Sequence, residues 1–221
     1  MVVTNSPSAR EQEKGVDFLL AEYGLLKDLR ASLITQNENR LNYYITVVSG
    51  VAAVTALIFK VYDTTEAFYF AALPVSFLLL LLGATIFGRL IETHISITIY
   101  ARGLNRIRRY FLDNDHRIAN YLMLHVFDDR PRFGALGFLS TKTTRLGLSV
   151  VPFLINSTLI GILTGFSTSL LFQFQIPASF VIGLITFSLT LVAHYGYYNH
   201  QIKKARKVFS KDFGIKFPSK Q

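Results

Sequence analysis

His194 is an ionisable side chain inside an otherwise apolar run, and it follows Thr186 and Thr190 at four-residue steps. That spacing puts the three on one face of a helix. Imidazole titrates near neutrality, so His194 could pass a proton, sense pH or bind a metal, as could His94, which sits just beyond another apolar run. Nearer a run's edge, the plainer role is a histidine satisfied within the packing. Asn156 is a carboxamide in a third apolar run, four residues after Pro152. It could bond locally or across helices, or contribute to a polar ring in an oligomeric pore. The stretch "YARGLNRIRRYFLDND", Tyr100 to Asp115, carries Arg102, Arg106, Arg108 and Arg109. On a soluble helix such a cluster would suit phosphates. Asp128 and Asp129 read as a cap and turn pair rather than a metal site.

No HExxH, GxSxG, Walker loop or dinucleotide glycine pattern is present, there is no cysteine, and the apolar runs hold no carboxylate. The expectation is therefore a non-enzymatic protein without cofactor or metal.

The elements that must position these residues are membrane spans. The chain of 221 residues is 51% hydrophobic and only 17% charged, where soluble domains carry about 25% charged residues. Four runs are long enough to cross about 30 Å of hydrocarbon: 41–59, 67–88, 146–172 and 177–198. None contains Asp, Glu, Lys or Arg. The predicted fold is all-α, a polytopic membrane protein with four transmembrane helices in two hairpins and helical cytosolic extensions. Its expected segments are a cytosolic amphipathic helix (1–40), a first hairpin (41–92), a basic helix and loop (93–145), a second hairpin (146–200) and a basic tail (201–221).

Of the 23 Lys and Arg residues, Lys60 alone falls in the two short turns between paired spans. Basic segments stay on the cytoplasmic side during insertion, so both termini and the central segment are expected inside, at a plasma (inner) membrane. Tyr43, Tyr44, Tyr195, Tyr197 and Tyr198 would mark the inner boundary. The polar first residues lack the apolar core of a signal peptide, so insertion would rely on the first span; the first nine are expected to be disordered.

Outside the spans, Leu90, Ile91, Ile95, Ile99, Leu104, Ile107 and Phe111 form an apolar stripe, interrupted by Gly103. The second span is thus expected to continue to about Leu112. Two further helices could cover the stripe. One carries Val16, Leu19, Leu20, Tyr23, Leu26, Leu29 and Leu33 and runs into the first span. The other continues the fourth span with Ile202, Ala205, Val208 and Phe209 inward. "NDHRIANYLMLHVF" reads as a short capped helix, and Phe133 to Leu139 as a short interfacial helix. In this setting Arg102, Arg106, Arg108 and Arg109 read as a topology anchor contacting anionic lipid headgroups, or as a docking surface for an acidic partner. The net charge of +9 needs no nucleic acid to explain it.

In the third span Ser157, Gly161, Gly165 and Ser169 recur every four residues. Such a stripe lets another backbone approach closely, from the same chain or from another subunit.

The segment "LNRIRRYF" just inside the second span, with the hairpin before it, resembles that of small four-span bacterial membrane proteins of unknown function. The resemblance implies the same layout and a bacterial source, and no activity. Two functions remain open on these residues. One is a homo-oligomeric pore or membrane-perturbing effector, built on the small-residue stripe, Asn156 and the Thr186–Thr190–His194 face. The other is an accessory or scaffold subunit whose basic cytosolic bundle docks a soluble partner or anionic lipid.

Overall fold

The structure is a computed structural model that describes residues 9–62, 65–133, 150–172 and 175–219. The expected disorder of residues 1–8, most of the interfacial helix from Phe133 to Leu139 and the first residues of the third span lie outside them. The described residues are mostly helical, without a strand. Helix α1 is Ala9–Tyr62, α2 is Thr65–Asn114, α3 is Val150–Phe172 and α4 is Ile176–Asp212. A 3₁₀ helix, His116–Tyr121, follows α2.

All four α-helices are long and apolar enough to cross a membrane. Helix α3, with 23 residues, matches the hydrocarbon thickness at ~35 Å. Helices α1, α2 and α4, with 54, 50 and 37 residues, are far longer than a span requires. Each runs without interruption from its apolar run into its polar extension, as the stripes predicted.

The chain divides into two compact units. The arginine-rich unit comprises Met1–Ile34, Ile95–Phe133 and Arg206–Gln221; the apolar unit comprises Thr35–His94 and Gly134–Ala205. In the arginine-rich unit Leu104, Ile107, Phe133 and Phe209 are buried. Val16, Leu19, Tyr23, Leu26 and Leu33 turn inward as expected, but Leu20, Leu29 and Val208 are exposed. A 3.6-residue period cannot hold Leu19 and Leu20, or Val208 and Phe209, on one narrow face. Gly103 interrupts the stripe for a packing reason, since a Cβ there would meet Leu26 Cδ1 at 3.0 Å.

The apolar unit buries Leu41, Tyr44, Ile86, Phe87, Leu90, Ile91, Val150 and Phe153. Its outer faces carry exposed Val54, Leu57, Phe77, Leu78, Leu184, Leu189 and Val192. An apolar exterior suits a unit whose solvent is lipid.

Candidate functional site

All four arginines of the cluster have partners inside the protein, and Arg102 and Arg106 reach into a single polar lock. Arg102 is only 5% exposed. Its guanidinium donates to Pro131 O at 3.0 Å and Asp129 O at 3.2 Å, and lies over the rings of Phe133 and Phe209. Arg106 donates to Asp128 Oδ2 at 2.8 Å and to the carbonyls of Phe213 and Gly214. Arg108 donates to Tyr23 Oη at 3.0 Å and Asn105 Oδ1 at 2.8 Å, tying α1 to α2. Arg109 pairs with Asp113 and lies over the Phe217 ring. Asn105 completes the set by donating to Phe127 O and Arg130 O.

The loop from Phe127 to Phe133 is thereby fastened to α2, and its two carboxylates capture the carboxy-terminal segment. Lys216 N and Phe217 N donate to Asp128 at 2.9 and 3.0 Å. Ser219 donates to Asp129 through both its N–H, at 3.0 Å, and its hydroxyl, at 2.6 Å. Asp128 N donates back to Phe217 O at 3.2 Å. The segment reaches this place because the chain leaves α4 after Asp212 and turns at Gly214, whose φ of 62° is the left-handed conformation that glycine accepts most readily. Gly214 N donates to Phe209 O, closing the helix end.

The electrostatics follow from these contacts. Burial pulls the Arg102 guanidinium below its usual range, against Asp129 and Asp128; an arginine stays charged regardless. Burial pushes the Asp128 carboxyl up, but the Lys216 and Phe217 N–H groups and Arg106 together hold it below the usual range. Burial acts on Asp129 in the same sense, and there the two bonds from Ser219 outweigh it and hold the carboxyl low.

Two expectations change here. Asp128 and Asp129 do form a turn, closed by Arg130 N donating to Phe127 O at 3.3 Å, but their carboxylates receive the tail and cap no helix; the cap of the 3₁₀ helix is Asp115, which accepts from Arg117 N. The arginines were expected to face headgroups or a partner. Arg102 is instead buried.

The apolar unit has its own polar cluster. Tyr44 Oη donates to Asn156 Oδ1 at 2.7 Å, joining α1 to α3 in a buried bond. Gly83 on α2 makes room for it, because a Cβ there would collide with Asn156 Oδ1 and Tyr44 Oη. Tyr44 was expected at the membrane boundary but is buried, whereas Tyr43, Tyr195 and Tyr197 are exposed. Tyr44→Phe is expected to destabilise the unit by about 0.6 kcal/mol, the average for hydrogen bonds between membrane helices, and by no more than about 1.7 kcal/mol. Unfolding in detergent measures it. Gly83→Ala, which also forces the helices apart, should cost more.

His194 does not adjoin His94 in any described contact. Its Nδ1 lies 2.9 Å from Thr190 O and 3.4 Å from Ser157 Oγ, and its ring packs against Phe87 and Phe153. Thr186 and Thr190 donate back to Ile182 O and Thr186 O of their own helix. Among the described residues no group of His, Cys, Asp and Glu could hold a metal.

The small-residue stripe meets α4 of the same chain. A Cβ on Gly161 would lie 2.9 Å from Gly183 O, and one on Gly165 would lie 3.2 Å from Ser179 O. Ser157 is buried beside His194, and Ser169 lines a cavity of about 610 Å³ between α3 and α4. Sequence reasoning missed the α4 half of this contact, although Ser179 and Gly183 carry the same four-residue signal.

No protein-family model, curated protein or solved structure matches this chain. Its function therefore rests on its own geometry.

Proposed function

We propose that this protein is a non-enzymatic, multi-pass membrane scaffold or accessory subunit whose arginine-rich unit docks a soluble partner on the cytoplasmic side. The observation that carries this reading is the lock of Arg102, Arg106, Asp128, Asp129 and the tail. A topology signal needs only positive charge. Here the arginines shape a folded unit, which suits a surface for recognition. Lys216 in the tail and Lys207 and Lys211 on α4 remain exposed and favour an acidic partner. Lys203 and Lys204, within ~10 Å along α4 of Tyr198, keep anionic headgroups among the proposed partners.

The pore reading has less behind it. The hydroxyls of Thr186 and Thr190 are satisfied within α4, Asn156 is buried against Tyr44 and Gly83, and the small-residue stripe is occupied by the chain's own α4. The inside orientation rests on the confinement of all Lys and Arg except Lys60 to one side.

Purified protein in liposomes is expected to give ion flux no greater than empty liposomes, while cross-linking through Lys207 and Lys211 in cells recovers a defined soluble protein. Flux above background without such a partner would favour the pore. For orientation, Gln175→Cys should react with an impermeant thiol reagent from outside the cell, and Lys211→Cys should not. The reverse pattern would sink the topology.

A further inference from the structure

We propose that the cavity between α3 and α4 is a binding site for one ester-linked acyl chain of a membrane phospholipid, with the Ser179 hydroxyl donating to the ester carbonyl. The site lies wholly within the apolar unit and stands apart from the docking of a cytoplasmic partner.

Its shape follows from the glycines. Gly161, Gly165 and Gly183 let the two main chains approach closely, and without side chains they form a floor. Ile162 and Phe166 rise from α3, and Phe180 and Leu184 from α4, all of them exposed. The volume of about 610 Å³ falls within the range of small-ligand sites, about 300–1,000 Å³. Its lining runs from Thr158 to Ser169, ~16 Å along α3 at the helical rise. An apolar cavity of that length, on a face whose solvent is lipid, suits a hydrocarbon chain.

Ser179 sets this cavity apart from ordinary lipid-facing surface. It is only 4% exposed, and its hydroxyl has no hydrogen-bond partner among the described residues. Thr186, Ser188 and Thr190 of the same helix each donate to the carbonyl four residues before. At Ser179 the corresponding carbonyl, Gln175 O, accepts from the backbone N–H at 3.1 Å, and the hydroxyl is left over. A buried hydroxyl without an acceptor costs free energy. Because Ser179 lines the cavity, rotation about its Cα–Cβ bond brings the hydroxyl to an acceptor held there.

Depth and charge select that acceptor. Ser179 lies ~4.5 Å along α4 from Ile176, its first residue. That is the end of a span, where hydrocarbon gives way to the interfacial region and its esters. No Asp, Glu, Lys or Arg occurs between Arg145 and Lys203, so this hairpin offers no cation to a phosphate or a free carboxylate. An ester carbonyl accepts a hydrogen bond without carrying charge. The site therefore selects the chain and its ester, not the headgroup.

The test uses the full chain in nanodiscs doped with a phosphatidylcholine that carries a photoreactive diazirine on one chain, linked by either an ester or an ether. Cross-links are expected to concentrate on residues 158–169 and 176–187. The ester probe should label roughly three-fold more than the ether probe, the weight of one net hydrogen bond, and a phosphatidylglycerol version should behave alike. Ser179→Ala should make the two linkages equal. Ser188→Ala, whose hydroxyl is already bonded within α4, should keep the preference. The unfolding midpoint of lipid-free Ser179→Ala in detergent is expected to equal or exceed the native one, since an unpartnered group has been removed. A lower midpoint would give the hydroxyl a structural partner and overturn the proposal. Equal labelling by ester and ether in the native chain would overturn it, as would labelling spread evenly over Val54, Leu57 and Leu189. Copies cross-linked to one another through 158–187, without lipid labelling there, would place a second chain in the cavity and overturn it too.

Discussion

Replacing Asp128 with asparagine is expected to free the carboxy-terminal segment and destabilise the arginine-rich unit by roughly 3 kcal/mol. Breaking a buried ion pair by removing one partner costs about 3–5 kcal/mol. The low end applies, because the Arg106 side chain is 23% exposed and water can recover part of its solvation. The carboxamide also turns a donor toward groups that are themselves donors: Lys216 N, Phe217 N and Arg106. Exchange of the Lys216, Phe217 and Ser219 amides and the unfolding midpoint both measure the effect. The same carboxylate makes the lock acid-sensitive. Its pKa is depressed in the folded state, so its contribution is fully present above the ordinary carboxylate range. That contribution is lost as pH falls through the lower folded value. Asp128→Asn should remove much of this dependence. A tail equally protected in the native chain and in the Asp128→Asn variant would show that the carboxylate does not hold it.

Gly183→Leu is expected to be the most damaging single change in the apolar unit. A Cβ at Gly183 would lie 2.7 Å from Gly161 O, which is backbone and cannot rotate away. Overpacking a well-packed core costs about 1–3 kcal/mol and occasionally more. Here a whole isobutyl group would have to enter between two main chains, so the upper end or beyond is expected. Gly161→Leu meets Gly183 O from the other side and should behave alike. Leu159→Ile, away from the contact, is the control and should be near neutral. Thermal unfolding in detergent and cross-linked size give the readouts. Loss of stability without change of size would agree with a contact inside one chain, whereas a change of size alone would place the stripe between subunits.

The spans and their helical extensions were legible because both signals are local. An apolar run without charge declares a span, and the stripe from Leu90 to Phe111 declares the helix that continues it. The stripe also named buried residues correctly, Leu90, Ile91, Leu104 and Ile107 among them. It failed at adjacent pairs such as Val208 and Phe209, where only one of the two can face inward. Gly161 and Gly165 pointed to a close approach, and their partner helix could have been found from Ser179 and Gly183.

The lock was not legible, for a physical reason. Asp128 and the tail residues it holds are 88 and 89 positions apart, and the bonds are mostly to main-chain N–H groups, which every residue but proline carries. Nothing in the identities of Lys216 or Phe217 announces such a role. The arginines announced charge, and charge beside a span reads as a contact with lipid. Only the placement of Phe133 and Phe209 around Arg102, with Pro131 O and Asp129 O in reach, turns them inward. The Tyr44–Asn156 bond is hidden in the same way, since a tyrosine at the end of a span ordinarily marks the headgroup level.

The central claim is that Arg102 and Arg106 hold the arginine-rich unit together rather than contact lipid. Hydrogen exchange on the native chain and on the Arg102→Gln, Arg106→Gln double variant, each in nanodiscs with and without anionic lipid, tests it most directly. The expected result is loss of protection over 127–133 and 214–219 in the variant, to the same degree in both lipids. Protection unchanged by the substitutions, with anionic lipid retention falling instead, would contradict the claim and return the arginines to the membrane surface.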